Sequence, residues 1–260
     1  MMMSFQYRDA CDSGESESLT PTAYTSHRPS QSMNHILWEK LRIPLAQNTI
    51  ERERLIGLFD RSTKTSSATL ISGRAGTGKT EAVAAFARRS GNSSWYSLGP
   101  PDADWGIFAT HFAAAVIGSE TRHSDVFMPD DSRMREPEIE SFLTSVFSLS
   151  EAPGLIVIDD IHHIFDAKWF EMFFPLLIRS LPPQTHLVLT CRSKPPAPLW
   201  RMRSKQVLNV VDEKVLAFDL DETERLYKLL GVDIAASREA HAASFGRIGK
   251  LLMHAELNKR

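Results

Sequence analysis

The chain has 260 residues, a formal charge of −2, 42% hydrophobic residues and 24% charged residues, which is enough for one α/β domain and a small appendage. No basic face stands out, so the composition gives no reason to expect direct binding to nucleic acid or to an anionic membrane. The two cysteines are poor material for a disulfide or a metal site, and no apolar run approaches the length of a membrane span, so we expect a cytoplasmic protein.

The first 33 residues are predicted to form a disordered tail. Eleven of the 22 residues from 11 to 32 are Ser, Thr or Pro, and few apolar positions are available for burial. Met33 follows directly and the first apolar clusters come after it, so Met33 is a candidate start of translation. We place the folded domain at residues 34–220, with a lead-in and a helix over 36–66 before the first strand.

A glycine-rich stretch at residues 73–81 follows the short apolar run from Ala68 to Ile71, and its spacing is that of a P-loop. Because glycine has no Cβ, successive backbone N–H groups there can approach phosphate, and the helix that begins near Lys79 directs its amino end to the same place. Lys79 is expected to reach the β and γ phosphates, and the Thr80 hydroxyl to ligate Mg²⁺. A plain Gly-rich turn is the alternative, which the flanking strand and Ala-rich helix disfavour. The predicted nucleotide-binding residues are Gly73, Arg74, Ala75, Gly76, Thr77, Gly78, Lys79, Thr80 and Glu81.

Strands and helices alternate in the middle of the chain. The continuous apolar runs from Leu155 to Ile158 and from Leu187 to Leu189 are typical of strands buried on both faces of a parallel sheet. Pro175 is expected to kink or break a helix. The alternation predicts an α/β fold with a mostly parallel sheet between helices and a site at the carboxyl ends of the strands. The other predicted elements are a strand at 95–98, helices at 107–117, 139–149 and 169–181, a loop at 118–138, and strands near 207–211 and 215–218.

Residues 221–260 are predicted to form a C-terminal helical segment. Asp221 is expected to cap its first helix, which stops at Gly231, and two further helical stretches follow. Such a segment would be the start of a lid or of a following domain.

Charged residues follow two of the buried strands. Asp159 and Asp160 would be costly there unless cations meet them, and Mg²⁺ is such a cation. We assign Asp159 to the metal, directly or through water, and Asp160 to polarising the attacking water. Arg192 is predicted to sense the γ-phosphate. The alternatives are a solvated acidic turn and a surface ion pair.

The predicted catalytic residues are therefore Asp160, Lys79 and Arg192. His162 and His163 have no further Cys or His at a ligand spacing, so we expect orienting or packing roles for them rather than a metal site.

The order of these motifs resembles the nucleotide-binding domain of MalT-like regulators, the large ATP-binding LuxR-type transcription regulators within the STAND class of P-loop ATPases. The resemblance runs from about Leu41 to Leu251. The motifs that carry it are Arg52 and Arg54, the P-loop, Trp95-Tyr96-Ser97-Leu98, Ile158-Asp159-Asp160-Ile161-His162, Leu187 to Arg192, and Leu216-Ala217-Phe218.

The resemblance implies an ASCE-type core of five strands, with the Arg192 strand between the P-loop strand and the Asp159 strand. It places Arg52 near the adenine and implies a switch, in which ADP holds the resting form and ATP allows self-association. Many relatives have Glu at the position of Asp160, so we expect slow hydrolysis. Where the family tends to have Gly, one residue, and then Pro or Ala in a helix over the nucleotide, Gly246 is followed by Arg247 and Ile248.

We therefore expect an Mg²⁺-dependent ATP/ADP-binding switch module of a signalling or transcriptional regulator, with weak ATPase activity. Its partners would be nucleotide and a second copy or a regulator protein, and no DNA-binding domain is visible in the chain. The alternatives are a stand-alone AAA-like ATPase that acts on a protein or nucleic-acid partner, and a truncated remnant of a larger regulator.

Overall fold

The computed structural model describes residues 36–45, 50–118, 125–130 and 134–258, apart from the Pro198 side chain. The tail predicted at residues 1–33 lies outside these ranges. Five strands form one sheet in the order β2-β3-β4-β1-β5, and all neighbouring pairs are parallel. The predicted five-stranded parallel core is confirmed. The strands are β1 (Ala68–Ser72), β2 (Ser93–Ser97), β3 (Leu155–Asp159), β4 (His186–Cys191) and β5 (Leu208–Val211).

Helices cover both faces of the sheet and form the end of the described chain. None of the helices in the described ranges is both long and apolar enough to cross a membrane. Short 3-10 helices lie at Trp38–Leu41, Pro100–Ala103 and Ile161–Ile164. The α-helices are α1 (Glu53–Thr65), α2 (Lys79–Ser90), α3 (Trp105–Ile117), α4 (Glu136–Leu149), α5 (Phe170–Ser180), α6 (Ala197–Ser204), α7 (Glu213–Leu216), α8 (Leu220–Leu229), α9 (Ala235–Ser244) and α10 (Ile248–Asn258).

Alternate side chains of the strands face opposite hydrophobic cores. In β3, Ile156 and Ile158 pack into the core beneath α3, α4 and α5, whereas Leu155 and Val157 pack into the core beneath α1 and α2. Burial on both faces explains why these strands have continuous apolar sequences. A third, smaller core joins α8, α9 and α10.

The structure differs from the predictions at α7 and at the amino end of α8. Residues 215–218 were expected to form a strand, which is wrong: α7 forms instead, because the Asp212 carboxylate accepts hydrogen bonds from the backbone N–H groups of Lys214 and Val215. In α8 the N-terminal cap is Asp219 rather than Asp221, since Asp219 and Glu222 form a reciprocal capping box.

Pro175 does not break α5, which continues from Phe170 to Ser180. A proline inside a helix costs about 3 kcal/mol. Phe173, Phe174 and Leu177 are fully buried on this helix, and burying each such side chain contributes about 1.5–3 kcal/mol. Packing therefore outweighs the local preference. The predicted loop at 118–138 is also too long at its end, because α4 begins at Glu136.

Candidate nucleotide-binding site

The carboxyl ends of the strands bring the predicted site residues to one edge of the sheet. β1 ends directly before the loop 73–78, β3 ends at Asp159, and β4 ends directly before Arg192. β4 lies between β1 and β3, with Cys191 beside Ser72. This is the strand order that the resemblance implies.

The second half of the loop from Gly73 to Gly78 leaves its backbone N–H groups without partners among the described residues. Gly76 and Gly78 have φ angles of 72° and 83°, in the left-handed region that favours glycine. None of the five backbone N–H groups from Gly76 to Thr80 donates a hydrogen bond to a described residue. Together with the amino end of α2, they form a cradle that fits a phosphate group.

Lys79 lies against this loop and is only 5% exposed. Its Nζ donates to the carbonyl oxygens of Gly73 at 2.6 Å and Arg74 at 3.0 Å. Burial lowers the pKa of the ammonium, while the negative charges of Asp160 and Asp159 oppose that shift. A cation in this position is suited to bind the phosphates of a nucleotide.

Asp159 and Thr80 place oxygen atoms beside the loop. The Thr80 hydroxyl donates to the two carboxylate oxygens of Asp159 at 3.2 and 3.1 Å, and the Thr190 hydroxyl donates to Oδ1 at 2.5 Å. Burial raises the pKa of Asp159, and the nearby charge of Asp160 adds to the shift, whereas the hydroxyl contacts lower it. A buried carboxylate with a threonine hydroxyl is an all-oxygen set that suits Mg²⁺.

Asp160 and Arg192 form an ion pair. Arg192 Nη2 is 2.7 Å from Asp160 Oδ2, and its Nε is 3.2 Å from Oδ1. The Asp160 backbone has a φ of 60°, and its N–H donates to Thr190 Oγ1 at 2.9 Å. Sequence reasoning gave these two residues separate roles, and the structure makes them partners. His162 lies beside the pair, and burial lowers the pKa of its imidazole.

Arg52 lines a small apolar pocket beside the P-loop. Its Nη2 donates to Glu222 at 2.7 Å and to the Ala217 carbonyl at 3.0 Å, and its guanidinium lies 3.9 Å from the centre of the Phe218 ring. Its Nε has no hydrogen-bond partner among the described residues. Glu81 lines the same pocket. The other lining residues are Ile50, Leu55, Ile56, Gly78, Ala82, Ala85, Phe218 and Ile248.

The C-terminal helical segment contacts the P-loop directly. The Gly249 N–H donates to the Gly76 carbonyl at 3.1 Å, and a Cβ added at Gly78 would lie 3.1 Å from the Ile248 side chain. Ile248, at the position where the related family tends to have Pro or Ala, thus closes one side of the pocket. Residues 247–258 thus lie against one side of the loop, and we call this segment the cover.

Glu213 connects this cover to the P-loop. Its carboxylate lies 2.6 Å from Arg74 Nη2 and 3.4 Å from Arg247 Nη2, and it accepts from the Arg74 backbone N–H at 3.1 Å. Sequence reasoning missed Glu213, and it noted Ile248 only as a departure from the related family's pattern. The position of Glu213 could have indicated its role, since it lies two residues after β5, at the same edge of the sheet as Asp159.

The predicted residues do not all face the same space. Arg74 points to Glu213 rather than into the cradle, and Ala75 is exposed on the loop. Position 73 has no space for a larger residue than glycine, because a Cβ added there would lie 2.8 Å from the Cβ of Glu213.

Comparisons with known proteins concern the sequence and the fold as a whole. No protein-family model matches the chain. The HTH-type transcriptional regulator MalT of Vibrio cholerae is 28% identical over 187 residues, covering 69% of this chain and 20% of the relative. MalT of Yersinia enterocolitica is 29% identical over 185 residues, covering 70% of this chain and 20% of the relative. The chain thus spans about a fifth of the length of the curated relatives it matches.

Among solved structures, a Walker-type ATPase of Pyrococcus abyssi matches with a TM-score of 0.51 at 12% identity, over 84% of this chain and 71% of that chain. At this identity the match shows the fold alone, which is that of a P-loop ATPase. The predicted resemblance to MalT is confirmed by the sequence matches.

Proposed function

We propose that this chain binds Mg-ATP, hydrolyses it slowly, and acts as a nucleotide switch module of a transcriptional regulator. The observation that carries the proposal is the cradle of unpaired N–H groups from Gly76 to Thr80, which lies beside the Thr80–Asp159 oxygen pair. The similarity to MalT supplies the regulatory context. Self-association of the ATP form, or binding to a regulator protein, would transmit the state of the switch.

Thr80 and Asp159 would hold Mg²⁺, and the loop amides and Lys79 would hold the phosphates. The bound Mg²⁺ would offset the charge of the phosphate groups. The raised pKa of Asp159 reflects the cost of burying its charge, and an adjacent cation would relieve that cost.

Arg192 and Asp160 would act through an exchange of partners. In the structure the guanidinium is bound to Asp160, and this positive charge makes the carboxylate a weaker base for a water molecule. A γ-phosphate would offer Arg192 a second, more highly charged partner. Release of Asp160 would then coincide with the presence of ATP, which couples sensing to hydrolysis.

Adenine would enter the pocket beside Arg52, with the unpaired Nε as a donor to the base. This pocket has a volume of about 30 Å³, whereas ligand pockets usually measure about 300–1,000 Å³. The side of the pocket formed by Ile248 therefore has to move before the adenine base fits. Nucleotide binding would thus displace the cover, and the displacement would be the switch.

Lys79→Ala tests the site, with Lys64→Ala on the exposed end of α1 as the matched control. Loss of a charge-assisted contact to phosphate should weaken Mg-ATP binding at least about tenfold, while the circular dichroism spectrum stays unchanged. Titration calorimetry measures both variants. Equal ATP affinity for Lys79→Ala and the wild-type chain would rule out the P-loop assignment.

Turnover distinguishes the switch from an ATPase that works on a partner. A switch should hold nucleotide and turn over far below about once per second, under the usual range of enzymes. An alternative AAA-like ATPase would instead be stimulated by its protein or nucleic-acid partner. Single-turnover and steady-state phosphate release with the isolated chain decide between them.

A further inference from the structure

The turn after β3 brings two imidazoles and a carboxylate together. Asp160 precedes the 3-10 helix Ile161–Ile164, and its carbonyl oxygen accepts from the His163 N–H at 3.2 Å. The His162 and His163 rings are in contact, with centroids 4.2 Å apart.

The distances between these groups fit a metal site. One ligand atom from each of Asp160, His162 and His163 lies within 4.8 Å of the other two. His162 Nδ1 is 3.7 Å from Asp160 Oδ1, and this nitrogen is buried with no hydrogen-bond partner in the described chain. In a tetrahedral zinc site with bonds of about 2.0–2.1 Å, ligand atoms are about 3.4 Å apart, so small rotations would close the site.

We propose that Asp160, His162 and His163 bind a transition-metal ion of the Zn²⁺ class, at a position separate from Thr80 and Asp159. Imidazole nitrogens suit Zn²⁺, Co²⁺ and Ni²⁺, whereas Mg²⁺ prefers oxygen ligands. Three protein ligands also leave a coordination position open. The sequence analysis assigned the two histidines no metal because no further Cys or His lies at a ligand spacing. The third ligand is instead the carboxylate of Asp160, which precedes the 3-10 helix.

Arg192 competes with the metal for Asp160. Its guanidinium donates to both carboxylate oxygens. The nearby positive charge of Lys79 also opposes the binding of a metal cation at this turn. Metal binding should therefore weaken the contact with Arg192, and removal of Arg192 should favour the metal. If Asp160 acts in hydrolysis, Zn²⁺ would inhibit turnover. That consequence depends on the proposed function, whereas the binding itself does not.

The test is a calorimetric titration of Zn²⁺ into the full chain without nucleotide or Mg²⁺. The chain has nine histidines, so the readout is the difference between variants. His162→Gln and His163→Gln should each lose one equivalent of bound Zn²⁺ or bind it at least about tenfold more weakly, whereas the control His254→Gln should match the wild-type chain. Equal stoichiometry and affinity in all four chains would overturn the site.

Arg192→Ala provides an arm that does not depend on the histidine variants remaining folded. Loss of the competing charge should tighten Zn²⁺ binding about tenfold, and Zn²⁺ should raise the melting temperature of this variant more than that of the wild-type chain. Unchanged affinity in Arg192→Ala would contradict the assignment of Asp160 as a ligand. Since no nucleotide is present, a negative result leaves the proposed ATP site untouched.

Discussion

At the scale of single residues, the charge of Asp159 is costly to bury. It is 4% exposed, and its pKa is raised chiefly by burial. A raised carboxyl pKa stabilises the fold fully below the unfolded value of about 4, and this stabilisation is lost as the pH rises through the folded value. At neutral pH, in the absence of metal and nucleotide, this carboxyl group should therefore lower the stability of the folded chain relative to acidic pH.

Asp159→Asn should consequently raise the melting temperature of the nucleotide-free chain at neutral pH. A gain of about 1 kcal/mol corresponds to roughly 2–4 °C for a chain of this size. The same change should remove the Mg²⁺ dependence of ATP binding. Calorimetric melting without Mg²⁺ measures the first effect, with Asp60→Asn on the surface of α1 as the control. A lower melting temperature for Asp159→Asn would mean that its hydrogen bonds outweigh the cost of its charge.

The sequence alone indicates most of the candidate residues of this site but not how they pair. Short sequence patterns mark Gly76, Lys79 and Asp159, because each lies in a P-loop or directly after an apolar strand. The ion pair between Asp160 and Arg192 joins residues 32 positions apart in the sequence. These residues follow adjacent strands, and no local sequence pattern indicates the order of the strands in the sheet. Glu213 was missed for the same reason.

At the scale of elements, β4 carries a buried histidine at its first residue. His186 is 5% exposed, its Nε2 lies 2.8 Å from Thr69 Oγ1, and burial lowers its pKa to about 4. The unfolded chain takes up a proton near pH 6.5, whereas the folded chain does not until about pH 4. Stability should therefore fall as the pH falls through this window, by about 3 kcal/mol.

His186→Gln should flatten this pH dependence, because glutamine keeps a polar contact to Thr69 without binding a proton. Denaturant unfolding at pH 7 and at pH 4.5 measures the difference, and His254→Gln serves as the control. The wild-type chain and the control should lose stability between these two values by more than His186→Gln does. An equal loss in all three chains would place the acid-sensitive group elsewhere.

Elements were predictable where a continuous apolar run or a helical period marks them, and less so where neither is present. The buried strands and the helices α3 and α4 follow from their apolar patterns. The run at 215–218 is too short for a period to be read, and the cap at Asp212 decides it in favour of a helix. In α5, tertiary packing overrides the expected effect of Pro175.

At the scale of the whole molecule, Glu213 joins the P-loop to the C-terminal segment. Glu213→Gln should weaken its contacts with Arg74 and Arg247, so that α10 opens more often and nucleotide enters faster. Exposed ion pairs contribute about 0.2–1 kcal/mol, which corresponds to an increase of up to about fivefold. Hydrogen exchange of α10 and the association rate of a fluorescent ATP analogue measure the effect.

Glu140→Gln is the matched control, since Glu140 pairs with Arg179 away from the site. If both variants bind nucleotide at the same rate, the Glu213 contacts do not hold the cover closed. If exchange in α10 rises without a change in association rate, opening of the cover does not limit nucleotide entry.

The order of the strands also has a consequence for the newborn polypeptide. Ala68 of β1 pairs with Leu187 on one side and Leu208 on the other, so the strand that carries the P-loop has no partner when it leaves the ribosome. At about 5–20 residues per second, roughly ten seconds pass before β4 and β5 are translated. During that interval the apolar segment that later forms β1 lacks both of its sheet partners, and we expect it to be open to non-native pairing.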